Sequence, residues 1–319
     1  MMIKDVIHRF INVSNLCKAF IDTPEFNRLR KIKQLGLVYL VYPSAVQTRF
    51  EHSIGVMHLA GKVADHFADS ITQREKELLM LAGLLHDVGH VALSHLLDYF
   101  LEENKIDEQF SKHENRSCFL VKKMNTELGL LNEREVEMVC KMIKGDIIGE
   151  EKPFLFEIIN NKRYGVDVDR LDYLQRDLYH LSMPCFQPDY ILECLKIKDG
   201  RLAILEKARP EIEMLYEARK RLLTLVCRHK TVIKFENVFR DALNMLNING
   251  EWFKENWLNF DDYSLDVMMR EKCPELLKSI YTRSLRQWNN NIDEQRYMHI
   301  QDINRQDINR QLSLVFWIN

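Results

Sequence analysis

The sequence predicts a mainly α-helical fold, and three observations carry that expectation. Glycine (11) and proline (7) are scarce in 319 residues, too few for the many tight turns of an all-β chain. Helix-start signals recur as Ser, Thr or Asn three residues ahead of Glu. The run 72–86 carries Leu78, Leu79, Leu81, Ala82 and Leu85 on a wide apolar face suited to a buried helix.

Taken in order, "DTPEF" places Pro24 just inside a helix that opens at Thr23. Thr48 with Glu51, Thr72 with Glu75, Ser111 with Glu114 and Asn132 with Glu135 read as capping boxes opening further helices. Helical patterning returns over 167–181, 210–230 and 232–249. Breaks fall at 36–44, 145–153 and 183–188. In "ILECLKIKDGRLAIL" the triplet "KDG" between apolar runs reads as a hairpin. Residues 1–249 form the expected core. Residues 250–319, rich in Trp, Asn and Asp, form an expected peripheral C-terminal lobe that can still belong to the same domain. There "QDINRQDINRQ" duplicates a pentapeptide, and two copies are too few for a solenoid.

With 46% hydrophobic and 29% charged residues, the chain reads as globular rather than disordered. A net charge of −2 gives no global case for nucleic acid or a membrane surface, and leaves room for a local basic pocket. Seven cysteines are scattered without a C-x-x-C pair. That argues against a disulfide framework or zinc ribbon and for a reducing compartment. The expected location is cytoplasmic, with the nucleus left open. Neither a secretory leader nor a membrane-spanning run is expected from the apolar pattern.

Chemistry concentrates in "GLLHDVGHVALSH", residues 83–95, where His86, Asp87, His90 and His95 fall within ten residues. Adjacent side chains on a helix diverge by about 100°. Beyond the last turn, however, His86 and Asp87 can reach one ion. Imidazole with carboxylate suits Fe, Mn, Zn, Ni or, less well, Mg. Alone, such a pair is more often a dipole-favoured histidine with a local cap. This pair is not alone. "TRFEHS" puts His52 in the first turn of another helix, with Glu51 occupied by its capping box. "GVDVDRLDYLQRD" adds Asp167, Asp169, Asp172 and Asp177. Acidic residues are routine at a helix start, but several buried carboxylates need a cation.

With R-F-E-H-S, then H-D-x-G-H-x-x-x-S-H, then K-H-E, then D-V-D-R-L-D-Y-x-x-R-D in this order, the sequence resembles the HD-domain metal phosphohydrolases. Within them it is most similar to the deoxynucleoside triphosphate triphosphohydrolases of the SAM-and-HD-domain type, over roughly residues 3–235. "DTPEFNRLRKIKQLGLVYLVYPSA" belongs to the same likeness. The resemblance implies an HD-type helical bundle with a few short strands. It also implies His52, His86, Asp87 and Asp169 as ligands of a divalent metal (Fe, Mn, Mg or Zn), with Mg bridging substrate phosphates. His95 would protonate the leaving 5′ oxygen, with Asp98 and Glu114 orienting and tuning it. His90 and His113 would face the α-phosphate. Arg49, Arg170, Tyr173 and Arg219 match phosphate-clamping positions, Gln34 and Asp177 contacts to a sugar 3′-hydroxyl. Leu35 matches the residue packed where a 2′-hydroxyl would clash. The implied reaction cleaves a dNTP at the α-phosphorus into deoxynucleoside and triphosphate. His58 and His66 read as ordinary helix histidines.

Two departures bear on specificity and assembly. Cys227 stands where a tyrosine is common, which removes a stacking surface and leaves base preference open. Proteins of this type are often nucleotide-bridged tetramers, and Asp22, Asn27 and Arg30 match that allosteric site. Asn27 replaces a longer Gln, and neither the upstream basic residue of that site nor a SAM domain is expected beside them. The expectation is a homo-oligomer, dimer or tetramer, with weak or absent nucleotide-triggered assembly. Two other readings stand beside the leading one. An HD phosphohydrolase acting on another nucleotide fits poorly with Gln34-Leu35-Gly36. A catalytically idle scaffold binding nucleotide or nucleic acid fits poorly with all four ligand types plus His95.

Overall fold

In the computed structural model, which describes residues 1–106, 108–285 and 305–318, the apolar runs form a helical bundle edged by two small sheets. At its centre the Arg49–His66 and Gln73–Leu85 helices lie side by side. Val56, Met57, Leu59 and Ala60 are buried on the first, and Leu78, Leu79, Leu81 and Leu84 on the second. The Val168–His180 helix packs across the first and Glu133–Lys144 across the second.

Capping sets where these helices begin. Thr72 Oγ1 accepts from Glu75 N (3.2 Å), and the Glu75 carboxylate accepts from Thr72 N (2.7 Å). Asn132 and Glu135 make the same reciprocal pair. Glu51 Oε1 accepts from Thr48 N at 2.6 Å, which occupies that carboxylate as expected. Thr23 caps only a short helix, Pro24–Asn27, before a 3-10 turn at Arg28–Lys31. Ser111 does not cap. It ends the preceding Glu108–Ser111 turn, and the next helix opens at His113 behind Lys112. The reason is tertiary: Arg116 reaches back to the Phe110 carbonyl and holds Ser111 in the buried chain reversal.

Two other segments differ from the sequence pattern. The run 210–230 is not one helix. Arg209–Arg221 gives way to a widened π-type turn, Leu222–Cys227. A short N-terminal hairpin also pairs Met2–Asp5 with Arg9–Asn12. It lacks a glycine signal because Arg9 itself takes the positive φ (64°). The "KDG" hairpin is present: Lys198 faces Arg201 across Asp199 and Gly200, at φ 52° and 72°, a type I′ turn. Trp317–Ile318 adds a parallel strand beside Arg201–Leu205.

Residues 250–281 reach the core. Phe253, Trp257, Phe260 and Leu265 are buried, and Asp262 accepts from the backbone N–H of both Lys33 and Leu93 at 2.9 Å. The first four residues of the duplicated pentapeptide lie outside the described residues. Its second copy falls in the Arg305–Leu314 helix. Among the described residues no helix is long and apolar enough to cross a membrane.

The H-D-x-G-H turn is clamped onto the His113–Leu128 helix. Gly89 N donates to Ser117 Oγ (2.9 Å), and Arg116 Nε donates to the Gly89 carbonyl (2.7 Å). A Cβ at Gly89 would stand 2.3 Å from the His113 carbonyl oxygen and 2.4 Å from Ser117 N. Both are backbone atoms with little freedom to move. Gly89→Ala should therefore destabilise the metal-free protein by about 1–3 kcal/mol in denaturant unfolding. An unchanged midpoint would contradict this close approach.

Candidate metal and catalytic site

Four side chains from three helices and one turn converge on a point. The Gln73–Leu85 helix ends at His86 and leaves Asp87 on the turn beyond. His52 projects from the first turn of Arg49–His66, and Asp169 from the first turn of Val168–His180. The ligating atoms of His52, His86 and Asp87 lie within 4.8 Å of one another. Asp169 Oδ1 stands 3.1 Å from His52 Nε2 and 3.4 Å from His86 Nε2.

The second ring nitrogens are already committed. His52 Nδ1 donates to Asp172 Oδ2 (2.8 Å), and His86 Nδ1 to the Gly83 carbonyl (2.8 Å). Both Nε2 atoms therefore face the same centre, as a metal site requires. Electrostatics ask for a cation there too. Burial opposes charge on His52, but Asp169 and Asp172 outweigh it and push its pKa up to about 10. Against the same burial, Arg49 and His86 hold Asp87 well below the usual carboxylate range. His52 and His86 do so for Asp169. Two imidazoles and two carboxylates at this spacing fit a divalent transition metal or Mg.

A second cluster adjoins the first. Asp98 accepts from His113 Nδ1 at 2.8 Å and from the Arg116 guanidinium. His90 and His113 stack with centroids 4.0 Å apart. His95 Nδ1 lies 3.9 Å from Asp98, and His113 Nε2 lies 3.7 Å from Glu114. His90 is fully buried with neither nitrogen hydrogen-bonded, and its Nε2 sits 3.4 Å from Asp87 Oδ1. Burial and the charges of Arg49 and His113 push His90 well below the ordinary imidazole pKa. The crowded wall and the same two charges push His95 down as well. The His95 side chain is 57% exposed, so water at the pocket mouth offsets part of that push.

Strain holds His95 in place. Leu93 and Ser94, both non-glycine, sit at φ 64° and 52° immediately before it. Such positions persist only where surroundings over-determine them. Asp262 holds Leu93 N. Ser94 Oγ donates to the Lys33 carbonyl (2.8 Å) and accepts from Arg49 Nε (2.9 Å).

Above both clusters opens a pocket of about 540 Å³. His95 and Asp169 line its floor, and Arg49, Arg170, Tyr173 and Arg219 stand around it. Gln34, Leu35, Asp177 and Cys227 line the remainder, while His90 and His113, expected to face the α-phosphate, are not among its lining residues. Arg49 pairs with Asp87, and Arg170 with Asp167, the N-cap of its own helix. Arg219 has no ion-pair partner among the described residues. The Tyr173 ring stands edge-on to His52, centroids 6.4 Å apart. Asp22, Asn27 and Arg30 lie together and do not line the pocket. Asn27 Nδ2 donates to the Ile21 and Thr23 carbonyls, Arg30 Nε donates to Asn27 Oδ1, and Asp22 pairs with Lys18. His58 packs against His8, and His66 Nε2 donates to the Leu195 carbonyl.

A family model for the HD domain matches residues 49–177, the span that holds both clusters. The chain contains an HD domain over that span. It is 34% identical over 293 residues to the deoxynucleoside triphosphate triphosphohydrolase SAMHD1 homolog of Dictyostelium discoideum, covering 87% of this chain and 56% of that relative. With human deoxynucleoside triphosphate triphosphohydrolase SAMHD1 it shares 35% identity over 210 residues, 57% of this chain and 33% of that one. An uncharacterized protein of Methanocaldococcus jannaschii is 32% identical over 291 residues, 89% of this chain and 58% of that one. The chain thus spans between a third and three fifths of the length of these relatives.

Several residues of this HD site escape a sequence reading. Arg116 follows His113 by three residues, and helical spacing could have flagged it. Asp172 carries no mark separating it from its acidic neighbours. Asp262, 169 residues from Leu93, has no local signal at all.

Asp177 supplies a pH prediction. It is 1% exposed and accepts from Gln47 Nε2 at 2.7 Å. Desolvation pushes its pKa up to about 7, only partly offset by Gln47. A raised carboxyl pKa favours the folded state while the group is neutral. That contribution is lost as pH rises from the unfolded value of 3.8 through about 7. Asp177→Asn should therefore melt with the parent at pH 3.5 and well above it at pH 8. Parallel curves at both pH values would refute the assignment.

Proposed function

We propose that this HD-domain protein is a metal-dependent dNTP triphosphohydrolase, cleaving at the α-phosphorus to give deoxynucleoside and intact triphosphate. The observation that carries the reading is the single pocket in which His95 and Asp169 share a floor beneath arginines, with Leu35, Cys227 and buried Asp177 on the remaining wall. A triphosphate needs the cationic part and a deoxynucleoside the rest. The Dictyostelium and human relatives, named as deoxynucleoside triphosphate triphosphohydrolases, point to the same substrate class.

His52, His86, Asp87 and Asp169 would hold the divalent ion, which when bound supplies Lewis-acid chemistry for water and phosphate. The chain's own residues do the rest. Arg49, Arg170 and Arg219 neutralise phosphate oxygens, Arg170 by exchanging Asp167 for substrate. His95 holds a proton for the departing 5′ oxygen. Its Nδ1 edge faces Asp98 (3.9 Å), so Nε2 is the edge left for the substrate. Phosphate charge beside His95 counters the Arg49 and His113 charges, so substrate itself raises the pKa of the donor. Arg116 and His113 fix Asp98, and Glu114 faces the far edge of His113.

Product analysis tests the reading. With Mn²⁺ or Mg²⁺, each dNTP should yield deoxynucleoside and intact triphosphate. His95→Ala should lower kcat by about 10²–10⁴-fold while metal content stays at the parental level. Orthophosphate or pyrophosphate as product would place the attack elsewhere and sink the proposal. Cys227→Tyr adds a ring to the nucleoside end of the pocket. Stacking of about 0.5–1.5 kcal/mol predicts a KM lower by roughly 2–10-fold with little change in kcat, and an unchanged KM would remove Cys227 from the nucleotide surface.

A further inference from the structure

We infer that His8, on the turn of the N-terminal hairpin, is a positioning residue for the metal centre, acting through Asp172 on the ligand His52. The inference rests on the metal-binding reading of His52. It adds a residue from a segment outside the span matched by the HD-domain model.

Asp172 is fully buried behind His52. Its Oδ2 accepts from His52 Nδ1 (2.8 Å) and Arg176 Nε (3.0 Å). Its Oδ1 accepts from His8 Nε2 (2.6 Å) and Arg176 Nη2 (3.0 Å). A carboxylate offers about four lone-pair sites, and all are taken. Arg176 grips both oxygens symmetrically, so it leaves the balance between them to the two histidines. Without the His8 donor, Oδ1 keeps a buried unsatisfied lone pair. The carboxylate then gains by turning, which draws Oδ2 away from His52 Nδ1. Released from that bond, the His52 ring loses the constraint that aims Nε2 at the ion.

The hairpin is built to present His8. Asp5 Oδ1 accepts from the backbone N–H of Ile7 (2.9 Å) and His8 (2.8 Å), closing the turn. Asp5 Oδ2 accepts from Arg176 Nη1 (2.8 Å), so the arginine that grips Asp172 also anchors the hairpin. The His58 ring packs on His8 at 5.1 Å. On the opposite helix, Gly55 leaves the space Asp172 occupies, since a Cβ there would fall 1.9 Å from Asp172 Oδ1.

The test is Mn²⁺ affinity of the full chain, stripped of metal and titrated against a competing chelator. His8→Phe keeps a ring on His58 and removes the donor. His8→Gln keeps an N–H able to reach Asp172. His8→Phe should weaken Mn²⁺ binding by about tenfold or more, and His8→Gln should recover most of that loss. Thermal unfolding of the metal-free variants confirms that each is folded before titration, with His8→Leu, which also lacks a donor, replacing His8→Phe if that is not. A loss below about tenfold in His8→Phe, or an equal loss in His8→Gln, makes His8 a packing residue and overturns the inference. If the parent binds no Mn²⁺, or His52→Ala binds it as tightly, the metal reading fails instead.

Discussion

Around the candidate metal centre the carboxylates of Asp87, Asp98 and Asp172, all buried, and of Asp169 at the pocket floor must each be neutralised inside the bundle. An unpaired buried charge costs several kcal/mol, so the architecture around these groups has few alternatives. Asp172 takes Arg176, His8 and His52. Asp98 takes Arg116 and His113, and Asp87 takes Arg49. Apart from Arg176, which shares the helix of Asp172, each partner lies on an element other than its carboxylate's, so satisfying the charges and docking the elements are one event. What the protein leaves over is a point between His52, His86, Asp87 and Asp169 where the remaining negative charge faces inward. A divalent ion would complete that balance.

The same constraint explains where the chain accepts close contact and strain. Gly89 lets the turn after Asp87 lie directly on the backbone of the His113–Leu128 helix. That contact brings His90 and His113 into a stack and places Asp98 between Arg116 and the histidines. Leu93 and Ser94 take positive φ angles to turn His95 toward the pocket. Asp262, from the far end of the chain, holds that turn in place. Residues 250–281 thus act on the geometry of His95 without touching it.

Arginine placement separates two jobs in one pocket. Arg116 and Arg176 are fully buried and held from several sides, Arg176 by Asp172 and Asp5 and Arg116 by Asp98 with the Gly89 and Phe110 carbonyls, so their charge is spent on structure. Arg170 is tied only to the cap of its own helix, and Arg219 is unpaired among the described residues. Their charge is the part available to an anion. Arg49 stands between the groups, bonded to Asp87 and Ser94 yet open to the cavity. It can therefore register metal site and phosphate together.

By itself the sequence determined the helical class, several helix starts and the order of the HD motifs. These depend on local physics: an Asn132 or Thr72 box closes within one turn, and His86-Asp87 ends a helix wherever that helix packs. The resemblance then named a set of residues that the fold brings to one pocket and the two clusters beneath it. Tertiary structure alone decided the rest. Ser111 fell at the end of the Glu108–Ser111 turn, leaving Lys112 at the N-cap of the next helix. The run after Arg221 widened into a π turn that puts Cys227 on the pocket wall. His8 and Asp262 entered the site from segments with no motif, since a hydrogen bond across more than 160 residues leaves no periodicity or spacing in the chain. Local signals record what a residue does to its own turn. Only packing records which distant carboxylate it must satisfy.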